Sequence, residues 1–368
     1  MMRPWHFRAW SGISFSAWFH ALAAHRFAVS PTRVPMAFMT TLLSLINSPL
    51  GALQSLLYNR RIRATPIEHP PIFVLGHWRS GTTLLHERLV CDPRHTFADT
   101  YACFSPNHFL ATRFLSRFLS LLLPRQRPMD NMPIGWGYPQ EDEWALANSG
   151  LPSPYLKIMF PHQPPRYNEY LDLRGLPPAE LERWKQQLLW FLKCLTLRNP
   201  QRIVLKTPLH TARVRTLLSM FPQARFVHVV RDPFVIFPST VHTWQQMYKF
   251  EAMQSPPYNG VEEYVLDTFV RMYRAFDEDV SLVPPGQFCE VHFEELVRDM
   301  PGQMERIYDQ LGLGGFEEAR PALEAYVAKT AKYQTNRYEI SPEIRGQITT
   351  RWYNYIEKYG YAQPVRVQ

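Results

Sequence analysis

Apolar runs of two lengths organise the chain. The short ones are "PIFVLG" (71–76), which is rich in β-branched residues and ends in glycine, "RIVLK" (202–206), "ARFVHVVRD" (224–232) and "QFCEVHF" (287–293). Runs of this length and composition predict buried strands. Between them lie segments of helical period, "TTLLHERLV" after the first strand, "AELERWKQQLLWFLKCL" (179–195) and "VEEYVLDTFVRMYRAFDEDV" (261–280). Strands alternating with helices predict an α/β fold, a central parallel sheet with helices on both faces. Ligands of such sheets bind beyond the carboxyl ends of the strands.

Two longer apolar stretches depart from this rhythm. Val34 to Tyr58 carries no charge, and "NRRIR" (59–63) follows it. The length would span a bilayer, but Asn47, Ser48, Pro49 and Gly51 interrupt it. The favoured expectation is a pair of buried or domain-capping helices broken near Pro49. A helix lying in a membrane interface comes second, and a spanning helix third. In "FLATRFLSRFLSLLLPRQRP" (109–128), Arg113 and Arg117 would share one face of a helix. That helix would pack on the core or, as the sharper alternative, form a lid or meet an apolar acceptor or membrane. The expected organisation is an N-terminal helical extension over 1–70 and one domain over 71–368.

With 46% hydrophobic and 20% charged residues in 368, the chain is globular and not disordered. Its net charge of +8 favours anionic partners. The positive residues are scattered and no RNA-binding motif occurs, so nucleic acid is not an expected partner. Four widely spaced cysteines without C-x-x-C argue against a zinc site or disulfide framework, and the N-terminus reads as no secretory signal. A cytoplasmic setting follows, with peripheral contact at the inner membrane surface as an accompanying expectation.

The candidate chemistry sits at the strand ends. "GHWRSGTT" (76–83) places Gly76 and Gly81 in phosphate-loop spacing between a strand and a helix. Backbone N–H groups and the helix dipole of such a loop attract an anion, with Ser80, Thr82 and Thr83 adding hydroxyls. A nucleotide triphosphatase would place Lys after Gly81. Here the cation is Arg79, inside the loop, whose fork can grip an anionic oxygen through two bonds. The second strand ends "VLKTPLH", from which Lys206 could reach a transferred group. The third ends "VVRDPFVIFPST", where Arg231 and Ser239 could grip a second phosphate. "PQEDEWAL" (139–146) sets Glu141, Asp142 and Glu143 at an apparent helix start, as candidate bases or as acidic dressing of the helix dipole.

R-S-G-T-T-L-L, K-T-P and R-D-P-x5-S, in this order and strand context, resemble the sulfotransferase superfamily that uses 3′-phosphoadenosine-5′-phosphosulfate (PAPS). The likeness runs from about Pro71 to Phe293, and more loosely to "RWYNYIEKYGY" near the end. It is nearest to bacterial members, and to tyrosylprotein sulfotransferases in having Arg in the loop. The resemblance implies a P-loop-like three-layer fold that transfers a sulfuryl group to an acceptor hydroxyl or amine, without metal, leaving adenosine 3′,5′-bisphosphate. It implies that Arg79, Ser80, Gly81, Thr82 and Thr83 hold the 5′-phosphosulfate end. Arg231 and Ser239 would hold the 3′-phosphate, and Lys206 would stabilise the leaving oxygen. The family's catalytic His after Lys-Thr is replaced by Pro208, which turns attention to Glu141 and Glu143 as bases, with His210 a weak substitute. The acceptor is expected to be a small or lipid-like molecule. The rival readings are a P-loop kinase or ATPase with Asp232 on Mg²⁺, and a non-catalytic membrane-surface protein.

Overall fold

The computed structural model describes residues 7–119, 135–330 and 339–361. Five strands form one sheet: β1 (Ile72–Leu75), β2 (His95–Phe97), β3 (Arg202–Lys206), β4 (Arg225–Val230) and β5 (Phe288–His292), in the order β2-β3-β1-β4-β5. β1 pairs in parallel with β3 and β4, and β4 with β5. Four of the strands coincide with the apolar runs. The three-residue β2 was missed, because "HTF" is too short to show a period.

Every residue of β1 is buried, which is why the strand reads as an unbroken apolar run. Ile72, Val74, Val227, Val229 and Val291 point into a core closed by helix α3 (Thr82–Leu89) and by the helix Met300–Gln310. The alternate residues face the other way. Phe73 stacks on Phe226, and His228 lies against Tyr273 and Phe276 of the helix Val261–Asp279. Helices on both faces make the three expected layers.

By internal packing the described chain falls into two units. One comprises Pro70–His95, Val204–His242 and Gly260–Gln368; the other comprises Met1–His69, Thr96–Ile203 and Thr243–Asn259. In the latter, α1 (Phe15–Ala24) packs on α2 (Val34–Ala64). Helix α2 is continuous, with Pro49 in its interior, where a break was expected. Proline removes one backbone bond there, and tertiary hydrogen bonds on either side hold the helix through it. Asn47 Nδ2 donates to Ser11 O and Ile13 O at 2.8 and 3.0 Å, and Gln54 Oε1 accepts from Leu110 N–H at 2.7 Å. The segment expected as one helix over 109–128 begins as three short turns, Phe109–Thr112, Arg113–Leu115 and Ser116–Leu119; its remainder, from 120, lies outside the described residues.

Candidate active site

Three strands adjacent in the sheet, β3, β1 and β4, deliver three segments to one edge. The β1–α3 loop is closed from within. Ser80 N–H and Ser80 Oγ both bond to His77 O, at 3.1 and 2.8 Å. Gly76 has φ +142°, and a Cβ there would stand 2.5 Å from Ser80 Oγ and 2.9 Å from Val229 O. Gly81 enters α3 at φ +107°; its Cβ would stand 2.3 Å from the Phe293 ring. Both positions therefore require glycine. No side chain caps the first turn of α3, which leaves its N–H groups to meet an anion or water. Thr82 and Thr83 are the first two residues of that turn. A phosphate-type group fits such a cradle.

Neighbouring segments brace the loop. Gly76 N–H donates to Thr211 Oγ1 at 2.7 Å, tying it to the 3₁₀ turn Pro208–Ala212 that follows β3. Thr240 Oγ1 donates to Trp78 O at 3.2 Å. His77 is fully buried behind the loop, beside the Phe269 ring, and burial pulls its pKa down to about 3.

The cationic residues converge. Arg79 occupies a left-handed conformation, φ +68°, and its Nε donates to Ser239 Oγ at 2.9 Å. Arg231 Nη1 donates to Arg79 O at 2.7 Å, and its guanidinium lies 3.9 Å from the centre of the Phe293 ring. Residue 79, which lies 152 and 160 positions from 231 and 239 in the chain, thus forms one constellation with them. Tyr355 fixes the backbone beneath it: Arg231 N–H donates to its phenolic oxygen at 3.1 Å, and the phenol donates to Arg231 O at 3.0 Å. Lys206 closes β3, in register with Val74, and is 3% exposed.

His210 and Asp232 adjoin the segments just described, in the turn Pro208–Ala212 and next to Arg231. His210 is buried in the core with its ring edge against Phe73. Asp232 Oδ1 accepts from Phe234 N–H at 2.8 Å and so caps the helix Pro233–Glu251. Glu141 and Glu143 belong to the other unit, at the start of the helix Asp142–Asn148. Tyr155 OH donates to Glu141 Oε2, and Ser153 Oγ donates to Glu143 Oε1. Phe293, Thr211, Thr240 and Tyr355 were not anticipated as parts of the site. Tyr355 does lie in the late segment "RWYNYIEKYGY"; no local signal marks the other three.

A parallel sheet with a lysine-free phosphate loop, a serine and a second arginine bonded to the loop's arginine, and a lysine at the end of the adjacent strand β3 is the arrangement of a P-loop-like group transferase. The sulfotransferase family profile matches residues 70–318. The chain is 45% identical, over its full length and 95% of theirs, to the omega-hydroxy-beta-dihydromenaquinone-9 sulfotransferases Stf3 of Mycobacterium bovis and Mycobacterium tuberculosis. Its fold is similar to that of two solved sulfotransferases, each 17% identical. STF9 of Mycobacterium avium has a TM-score of 0.66 and covers 95% of this chain and 97% of its own. STF1 of Mycobacterium tuberculosis has a TM-score of 0.61 and covers 92% and 90%. The chain belongs to the sulfotransferase family and is a sulfotransferase.

Proposed function

We propose that the sulfuryl donor is PAPS and that the acceptor is the hydroxyl of a lipid-like molecule. The observation that carries the donor is the Arg79–Ser239–Arg231 constellation beside a loop without lysine. When bound, PAPS supplies the sulfuryl group and a nucleotide leaving group. The loop amides and the first turn of α3 bind its 5′ end, with Ser80, Gly81, Thr82 and Thr83 lining the cradle. Arg79 and Ser239 orient its phosphate oxygens, and Arg231 meets the 3′-phosphate. Lys206 stabilises negative charge on the leaving oxygen. A sulfuryl group carries less charge than a terminal phosphate, which is why fixed cations and amides suffice where a kinase adds lysine and Mg²⁺. For the base that takes the acceptor's proton the proposed residues are Glu141 and Glu143, a role with a kinetic test: glutamine at the true base lowers kcat by 10²–10⁴-fold.

The support for a lipid-like acceptor is the relatives' quinone-type substrate at 45% identity over the whole chain. The direct experiment incubates the protein with ³⁵S-labelled PAPS and an ω-hydroxylated dihydromenaquinone in detergent. Label is expected on the hydroxylated lipid and not on menaquinone lacking the hydroxyl. No transfer to the hydroxylated lipid, with adenosine 3′,5′-bisphosphate still bound, removes the acceptor assignment; no binding of the bisphosphate removes the donor.

A further inference from the structure

Helix α2 is built inside out. Its buried stripe carries Thr40, Ser44, Asn47 and Gln54. Its exposed stripe carries Phe38, Leu42, Leu45, Leu53, Leu56 and Leu57, from 40% exposed at Leu42 to 83% at Leu56. At 3.6 residues per turn the two sets occupy opposite sides of the helix. A helix facing water shows the reverse arrangement. The inward polar groups are held by their own unit: Asn47 by Ser11, Ile13 and His108, and Gln54 by Leu110. The orientation is therefore specified by hydrogen bonds, and the apolar stripe is left outside. From α1 and the turn after it, Phe15, Phe19 and Phe27 add exposed rings 5.8–6.3 Å apart. Contiguous exposed apolar surface of this kind marks an interaction surface.

The charge around this face identifies its occupant. The first 67 residues contain seven arginines and neither Asp nor Glu; Glu68 is the first acid. Arg60, Arg61 and Arg63 stand exposed at the C-terminal end of α2, and Arg26 lies exposed beside Phe27. Apolar side chains flanked by exposed arginines, in a segment whose own sequence holds no acid, complement an anionic lipid surface.

We propose that the exposed face of α1 and α2 docks on an anionic phospholipid bilayer, with α2 lying in the interface. The stretch Pro31–Ala64 is long and apolar enough to cross a membrane. It lies flat instead, because the unit holds its other side along most of its length. Trp18 Nε1 donates to Thr41 Oγ1, Asn47 and Gln54 are bonded as above, and Lys193 Nζ donates to Arg63 O. The docking stands on this face and its charge, and does not depend on which acceptor the enzyme uses.

The test is co-sedimentation of the full chain with phosphatidylcholine vesicles, with and without phosphatidylglycerol, alongside sedimentation velocity. The wild type is expected to bind, more tightly when phosphatidylglycerol is present and less tightly as salt rises. Leu45→Ser/Leu56→Ser/Leu57→Ser is expected to lower partitioning at least a hundred-fold on both vesicles. Arg60→Gln/Arg61→Gln/Arg63→Gln is expected to lower it roughly a hundred-fold on the anionic vesicles alone. All six side chains are exposed, so the melting temperature should stay that of the wild type. Wild-type protein that binds neither vesicle, or a serine variant that binds like the wild type, overturns the proposal. So does a wild-type dimer that the serine variant dissolves, which would make the face a contact between two copies. Sulfate transfer in detergent needs no bilayer, so failure here leaves the enzymatic reading standing.

Discussion

Replacing Arg231 by alanine should remove the preference for a 3′-phosphorylated nucleotide that we propose for the enzyme. The guanidinium makes three separable contributions. It donates to Arg79 O at 2.7 Å and lies 3.9 Å from the Phe293 ring, and we assign it the 3′-phosphate. A hydrogen bond to a charged group contributes about 1.5–3 kcal/mol, and a partly exposed cation–π contact about 0.5–1 kcal/mol. The first two hold the loop, so losing them weakens adenosine 3′,5′-bisphosphate and adenosine 5′-phosphate alike. The third acts on the bisphosphate only. The ratio of the two dissociation constants therefore isolates it, and should fall roughly 10- to 150-fold, the equivalent of about 1.5–3 kcal/mol. Titration calorimetry with both nucleotides measures the ratio. Arg231→Lys should recover part of it, since lysine restores charge but not the planar fork. An alanine variant that stays folded and keeps the wild-type ratio within about threefold refutes the assignment.

Gly81→Ala should destabilise the protein and weaken nucleotide binding together. It would force alanine to φ +107° and set its Cβ 2.3 Å from Phe293. Strained backbone alone costs about 1–3 kcal/mol, so an unchanged melting curve would count against the loop geometry. Lys206→Met should lower kcat about 10²–10³-fold while leaving the affinity for adenosine 3′,5′-bisphosphate within a few-fold, as expected of a group acting on charge that develops during transfer; unchanged kcat removes that role. The fourth expectation concerns acid. Burial holds the His77 pKa down to about 3, against 6.5 when unfolded. The folded state thus binds fewer protons, its stability is fully present above about pH 6.5, and it is lost as pH falls towards 3. Chemical denaturation between pH 4 and 6 should show this as a slope of about 1.4 kcal/mol per pH unit from this residue. His77→Gln should flatten the slope, and an unchanged slope would exclude His77 as its source.

Local physics made much of the protein legible before any coordinates. A β-branched run followed by glycine and a helical period needs only neighbouring residues to declare itself, and β1, the phosphate loop and α3 stand where that pattern puts them. β3 and β4 follow for the same reason, since their interiors are buried on both faces and read as nearly continuous apolar runs; β5, at the edge of the sheet, alternates buried and half-buried residues. The missing lysine of the loop was likewise readable from a handful of adjacent residues; the move from nucleotide hydrolysis to sulfuryl transfer took three motifs, at 79–85, 206–208 and 231–239, and their resemblance to one family.

Only the tertiary structure decided how distant segments meet. Arg79 reaches Ser239 and Arg231 because β1 and β4 are neighbours in the sheet, a fact of pairing that no local pattern records. Phe293 joins them because β5 sits beside β4. His210, two residues from the family's histidine position, is buried with its ring against Phe73, a placement no local pattern records. The sharpest case is α2. Composition marked residues 34–58 as apolar and Pro49 as a break, yet hydrogen bonds from Asn47 and Gln54 to other segments carry one helix through the proline. Those same bonds turn its polar stripe inward. The apolar content was written in the sequence, while the side of the helix that carries it outward was chosen by partners tens of residues away, because a buried amide must find its hydrogen bonds wherever the fold supplies them.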